Sequence, residues 1–484
     1  MKMKRRLKLL LCLLTSTLIV WCCSCGQDTG TDRQRILRIS PGKKIAALDP
    51  ALAADTASQY MTAAFYDTPL QYNYTARPYR LEPSMLAAMP ELSADRRTYR
   101  CRLRDDLFFQ PAECFPDRES RRVTASDLVF SILRLADPRV RSTGYWLVRG
   151  RIRGIGTFRE QTGLSEKNDL SVYDRGCTGL RVLDSRTFEI ELEKPDPRFI
   201  YALAMPYFSA VSRRAAAFYG PDFTDRIIGS GPFVLTEWVK DYVIRMKRYD
   251  EYREEYFPGA DNPVDRKRRL PLLDGMTCYL VKQPLAAWLM FLQGELDYCA
   301  LDGENFDAVV NEQKQLSPAL RKRRITLHAA PEFQINYIGF HFADPLLGKN
   351  LALRRAISLA FDKELRSRIT NGRLQPVYGP LPPGTDGWEA DLRGPYGEKN
   401  LTRARELMKE AGFPGGINPA TGKPLTLTFD QAGSDTFYRQ TAELLAADLA
   451  QIGIVLKPEF SNRARFFQKL ASGQAQLFRL SWTG

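Results

Sequence analysis

Two histidines, His328 and His341, are the whole imidazole complement of 484 residues, so the side chain that most often moves protons in catalysis is nearly absent. Both lie beside strand-like runs, where an imidazole packs or meets solvent far more often than it holds a metal. Beyond an N-terminal cluster the cysteines are Cys101, Cys114, Cys177, Cys278 and Cys299, with no Cys-x-x-Cys pair among them. That set does not build a zinc or nickel cage. Five is an odd number, so at least one thiol stays unpaired within the chain, and the spacing does not fix any pairing. No Gly-x-Ser-x-Gly elbow, His-Glu-x-x-His helix or phosphate-binding loop occurs. The expectation is therefore no enzyme, no catalytic residue, no metal and no cofactor. The most distinctive local stretch is Gly229-Ser230-Gly231-Pro232-Phe233, whose two glycines and proline force a tight loop. After it, Phe233 to Trp238 and Val243 to Lys247 read as two extended runs around a polar break at Lys240-Asp241, a hairpin pattern. On residue chemistry alone this is a turn.

At 44% hydrophobic and 26% charged, the chain has ordinary globular composition and enough length for two or three domains. The formal net charge is +14, and five of the cations fall in the first eight residues. Arg266-Lys267-Arg268-Arg269 and Arg321-Lys322-Arg323-Arg324 each precede an apolar run and read as solvated turns, so no nucleic-acid partner is expected. Lys2 to Lys8 form a basic segment, Leu9 to Trp21 an apolar stretch short for a bilayer, and Cys22-Cys23-Ser24-Cys25-Gly26 follows. This is an export signal over residues 1–25. Ser24 before Cys25 and Gly26 after it resemble a bacterial lipoprotein cleavage site, which implies lipidation of Cys25. Cys23 is the alternative, and ordinary cleavage with secretion is the other reading.

The body of the chain alternates strand and helix signals. Leu37 and Ile39 begin an extended run, and Leu48-Asp49-Pro50 leads to a helix through Tyr60 and Ala64, near Asp67. Tyr99, Cys101 and Leu103 alternate with arginines as a half-buried strand. Thr124 and Asp127 form a variant capping box for a helix that stops at Asp137-Pro138. Gly179 to Asp184 and Thr187 to Leu192 are two strands. Met276 to Val281, Pro284 to Gln293 and Leu296 to Leu301 read as a β-α-β step, with the first strand crossing into a second lobe. Further strands are expected at 336–342, 425–429, 454–456 and 477–482, and helices at 353–361, 401–411, 437–452 and 463–471.

The run Gly-Ser-Gly-Pro-Phe, Trp238, Tyr252, Leu272-Leu273-Asp274 and Leu292-Gln293-Gly294-Glu295-Leu296-Asp297 resembles the family 5 extracytoplasmic solute-binding proteins, the peptide-binding subunits of ABC importers. So do Thr124-Ala125-Ser126-Asp127 with its helix, and Asn336 to Phe342 followed by Arg355-Ala356-Ile357 and Asp362-Lys363. One departure is the longer loop Phe109 to Pro116, where many relatives carry a short His-Asp-Gly turn. The resemblance implies an α/β, two-lobed periplasmic-binding-protein fold, class II-like, with an extra subdomain in the first lobe and an incomplete final lobe. Its expected division is 26–75 plus 190–279 for the first-lobe core, 76–189 for the extra subdomain and 280–484 for the second lobe.

The same resemblance implies capture of peptides without chemistry, by lobe closure, in the periplasm or at the cell surface. The expected partners are a peptide, the ABC permease and ATPase, and the membrane through an N-terminal lipid, with the protein itself a monomer. Implied ligand-binding residues are Asp67, Tyr145, Ser230, Arg479 and Trp482, with Arg479 receiving a ligand carboxylate. From the residues alone, Asp67 reads equally as a helix-end carboxylate, Arg479 as a surface strand arginine and Trp482 as lobe filling. In relatives an Asp follows the position of Trp482-Thr483-Gly484, so truncation is expected here, on the ground that a last core strand would otherwise be an unpaired edge. The competing readings are a non-transporting fragment and a surface sensor or adhesin. A solute-binding function leaves peptide length and side-chain preference open.

Overall fold

A computed structural model describes residues 34–483 apart from 167–168, 258–266, 302 and 435; Cys25 and the leader lie outside the described residues. The described residues fall into two compact units, one from the stretches up to 71 and 82–300, the other from 72–81 and the stretch from 301 onward. The expected lobe boundary at 280 therefore differs from the observed division, which comes after Ala300.

In the first unit, strands β1 (Ile36–Ile39), β8 (Phe233–Val239), β9 (Val243–Arg248) and β10 (Gly275–Tyr279) form a sheet in the order β1-β10-β9-β8. β1 and β10 run parallel, and the β8/β9 hairpin turns through Asp241 at φ 62°. β2 (Leu70–Tyr72) and β3 (Leu81–Pro83) form a short two-stranded ribbon, whose tip residues, 72–81, belong to the second unit. The other sheet of the first unit joins β4 (Glu91–Leu92), β5 (Thr98–Arg102), β6 (Leu180–Val182) and β7 (Thr187–Glu191) in the order β4-β5-β7-β6. Its alternation is as expected: Tyr99, Cys101, Phe188 and Ile190 are buried, while Arg100 and Arg102 face out.

Helix α1 (Thr56–Thr62) is capped by Asp55, whose carboxylate accepts from the Ser58 N–H. Helix α2 (Ala125–Ala136) starts where the Asp127 carboxylate accepts from both the N–H and the hydroxyl of Thr124, at 3.0 and 2.7 Å. Its Arg134 meets Asp49 through two hydrogen bonds of 3.1 and 2.6 Å, a buried ion pair that ties the Leu48-Asp49-Pro50 step to the helix. Helix α3 (Pro284–Gln293) ends at Gly294 in the left-handed conformation, φ 80°. The strand expected at Leu296 to Leu301 is not formed. Tyr298 alone makes a parallel bridge, to Ile39 in the first unit.

The second unit is α/β. Strands β11 (Gln334–Phe340), β12 (Thr426–Gln431), β13 (Val455–Phe460) and β14 (Leu477–Thr483) lie in the order β11-β14-β12-β13, with β12 parallel to both β13 and β14. β14 is thus an interior strand, paired with β11 on one side and β12 on the other. This corrects the expectation that the last strand would be an unpaired edge. Helices α4 (Leu351–Ala360), α5 (Leu401–Glu410) and α6 (Thr436–Ala450) place Leu353, Ile357, Leu407, Met408 and Leu445 in one core with Leu427, Phe429 and Leu477. Helix α7 (Arg463–Ala471) buries Phe466 completely, and its Lys469 pairs with Asp430, which is itself wholly buried.

Candidate functional site

The loop at Gly229 is seated on the chain that leaves α1. Gly231 N–H donates to the Phe65 carbonyl at 2.8 Å, and Phe233 N–H to the Ala64 carbonyl at 3.0 Å. The approach leaves no room for a side chain, since a Cβ on Gly229 would stand 1.9 Å from the Phe65 oxygen, and one on Gly231 would stand 2.5 Å from the Phe65 carbonyl carbon. Both glycines are therefore required by proximity of backbone to backbone. Gln110 fastens the arrangement from a third segment. Its Nε2 lies 2.6 Å from the Phe233 carbonyl and 3.2 Å from that of Gly231, and its own N–H donates to the Gly229 carbonyl at 2.8 Å.

This seat brings Ser230 and Asp67 together. Ser230 Oγ lies 3.1 Å from Asp67 Oδ2, and both residues are buried. Asp67 Oδ1 is 3.1 Å from the Tyr252 hydroxyl and 3.3 Å from Arg253 Nη2. Arg253 also donates to Ser84 Oγ at 3.1 Å and pairs with Glu255 at 2.7 Å, and the Tyr252 hydroxyl is 3.0 Å from Glu255 Oε2. Burial pushes the Asp67 carboxyl above its ordinary range; Arg253 opposes that shift and Glu255 adds to it. Burial likewise raises the Tyr252 phenol well above its ordinary value.

Tyr145 opens a single 3-10 turn, Tyr145–Leu147, with its ring covered by the Arg159 guanidinium at 4.2 Å. Among the described residues no hydrogen bond links it to Asp67 or Ser230. In the second unit, Arg479 Nη2 donates to Asn336 Oδ1 across the β11/β14 pair at 2.6 Å, and its guanidinium lies 4.6 Å over Phe437. Trp482 is 70% exposed. Successive strand residues point to opposite faces, so Arg479 shares the face of buried Leu477, and Trp482 stands on the other. The structure pairs Asp67 with Ser230 and does not bring Arg479 and Trp482 to one point.

Gln110, Arg253, Asn336 and Phe437 escaped the sequence reading. Gln110 lies in the loop Phe109 to Pro116, which carries no chemical motif, and Arg253 is one arginine in a chain rich in them. Only Asn336, two residues from the strand position opposite Arg479, could have been found, by counting register.

Residues 80–484 match the family described as bacterial extracellular solute-binding proteins, family 5 Middle. A probable ABC transporter periplasmic-binding protein, SapA of Escherichia coli K12, is 28% identical over 81% of this chain and 64% of its own length. Di/tripeptide-binding protein 2 of Pseudomonas aeruginosa is 26% identical over 82% of this chain and 67% of its own. The chain thus spans about two thirds of the length of these relatives, and less than that of SapA. Among solved structures, the DppA periplasmic binding protein of Helicobacter pylori in complex with the peptide STSA aligns with a TM-score of 0.68 at 20% identity, covering 93% of this chain and 79% of that one. Burkholderia pseudomallei OppA gives 0.65 at 22% identity, covering 93% and 80%. The fold is that of the two-lobed periplasmic binding proteins.

Proposed function

Because this chain belongs to family 5 of the bacterial extracellular solute-binding proteins, we propose that it captures peptides outside the cytoplasm for an ABC import system. The observation that carries this reading is the family match over 80–484, on a chain whose relatives include a di/tripeptide-binding protein. Capture proceeds by closure of the two units on an extended peptide and involves no covalent step. Arg479 is assigned the ligand carboxylate, since a guanidinium presents a planar fork of donors that matches it. Trp482, on the other face of β14, is assigned a ligand side chain. Tyr145 and Ser230 contribute from the first unit, with Asp67 behind Ser230. The protein acts as a monomer, anchored by a lipid on Cys25, and hands its peptide to a permease and ATPase in the membrane.

Thermal unfolding of the leaderless chain, with and without mixed di- to pentapeptides, tests the capture step. A ligand at 100 times its Kd stabilises the native state by about 2.7 kcal/mol, so the midpoint rises. A cooperative transition that millimolar peptide leaves unmoved would overturn the peptide reading. Radiolabelled fatty acid incorporated by the full chain, and lost on Cys25→Ala, tests the anchor; label retained in that variant would move the lipid elsewhere.

A further inference from the structure

The contacts around Asp67 cannot all be hydrogen bonds if both carboxyl groups are ionised. Tyr252 has one hydroxyl proton, yet its oxygen lies 3.1 Å from Asp67 Oδ1 and 3.0 Å from Glu255 Oε2. The phenol can donate to one of them, and the other contact then sets two oxygens together with no proton between. A second proton completes the set. It belongs on whichever carboxyl holds the guanidinium less closely, and distance and burial agree. Glu255 meets Arg253 at 2.7 Å with 19% of its side chain exposed, whereas Asp67 meets Arg253 at 3.3 Å and is 7% exposed.

We propose that Asp67 is a neutral, proton-bearing positioning residue. Its hydroxyl donates to the Tyr252 oxygen, Tyr252 donates to Glu255, and Ser230 donates to the remaining oxygen of Asp67. The buried cluster then contains one ion pair, Arg253 with Glu255, and no unmatched charge. The surrounding groups leave that balance in place. The Gln71 amide lies 3.2 Å from Glu255 and 3.0 Å from Glu82, so it bridges these two carboxylates at the edge of the cluster. Arg104 is engaged by Asp106 at 2.6 Å and by the Glu254 carbonyl at 3.2 Å. Arg269 is directed to the Tyr252 carbonyl, where it opposes the proton from outside the network.

The consequence is a pH-sensitive latch on the Gly229 loop. Asp67 lies three residues before β2 and Ser84 directly follows β3, so the same proton also sits at the base of the ribbon. Removing it puts a second carboxylate charge into the cluster and takes away the donor to Tyr252, so the buried cluster beneath the loop loses stability. An acid whose folded titration lies above the unfolded one adds stability that is complete below about pH 3.9 and lost as pH rises through the folded value.

Asp67→Asn tests this, because an amide keeps the carbonyl and a donor while adding no charge. The variant should unfold at a higher temperature than the parent at pH 8, the advantage should vanish toward pH 4, and the parent alone should lose stability between those conditions. Infrared difference spectra of the parent at pH 7 should show a protonated-carboxyl band that Tyr252→Phe shifts or abolishes. An Asp67→Asn variant that melts lower at pH 8 with an unchanged pH profile would overturn the proposal and make Asp67 the anionic partner of Arg253. So would a parent spectrum with no such band, a reading that holds even if the variant does not fold. Neither measurement involves a solute, so either result leaves the peptide reading to its own test.

Discussion

The two units hold their candidate residues by opposite means. In the first, Ser230 and Asp67 are buried and fixed by a network of polar contacts from four separate segments. In the second, Arg479 and Trp482 ride on one strand over an apolar core, and the strand's period of two decides which way each one points. A network is specific but fails as a unit when one member is lost, because each partner left behind is buried and unsatisfied. A strand on an apolar core tolerates change at its exposed positions and concentrates its vulnerability in a few large side chains. The difference teaches that the same family fold can place candidate residues through polar closure in one unit and through simple alternation in the other.

Gly229→Ala should break the first arrangement outright. A Cβ 1.9 Å from the Phe65 oxygen cannot be accommodated without moving the loop off α1, at a cost of about 5 kcal/mol or failure to fold. Urea unfolding measures it, and a loss below about 1 kcal/mol would mean the loop is not seated as described. Phe429→Ala, at a wholly buried position in the second unit, should cost about 3–5 kcal/mol by transfer and cavity formation. If the two units unfold separately, its effect should fall on one transition and that of Gly229→Ala on the other.

Smaller effects sharpen the contrast. Arg479→Ala should leave urea stability within about 1 kcal/mol but weaken peptide binding by about 10-fold or more, with Arg479→Lys recovering part of it. Calorimetric titration would show this, and unchanged affinity would remove Arg479 from the ligand's surroundings. Trp482→Ala should alter stability by no more than about 0.5 kcal/mol, since the ring is 70% exposed. A larger loss would mean that the ring is covered in solution.

Much of the fold was legible in local sequence. The capping box at Thr124 and Asp127, the Asp137-Pro138 stop, the alternation through Tyr99 and Cys101, and the Phe233 to Lys247 hairpin depend on neighbours a few residues apart. The α/β rhythm of the second unit follows for the same reason. The segment at Leu296 to Leu301 misled because its apolar pattern suits a strand, while only Tyr298 finds a partner there. The final strand misled differently: sheet order is not chain order, and β14 enters between β11 and β12.

The sequence by itself determined the element types, most of their limits, and the family to which they belong. It also placed Ser230 in a tight loop and Arg479 and Trp482 on one strand. Tertiary structure alone decided that Asp67 is enclosed by Ser230, 163 residues away, and Tyr252, 185 residues away. It also decided that Gln110 closes the loop from outside and that the last strand is interior. The physical reason is that caps, turns and alternation arise from interactions along the chain, whereas burial, and with it the protonation of a carboxyl group, depends on which distant segments exclude water from it.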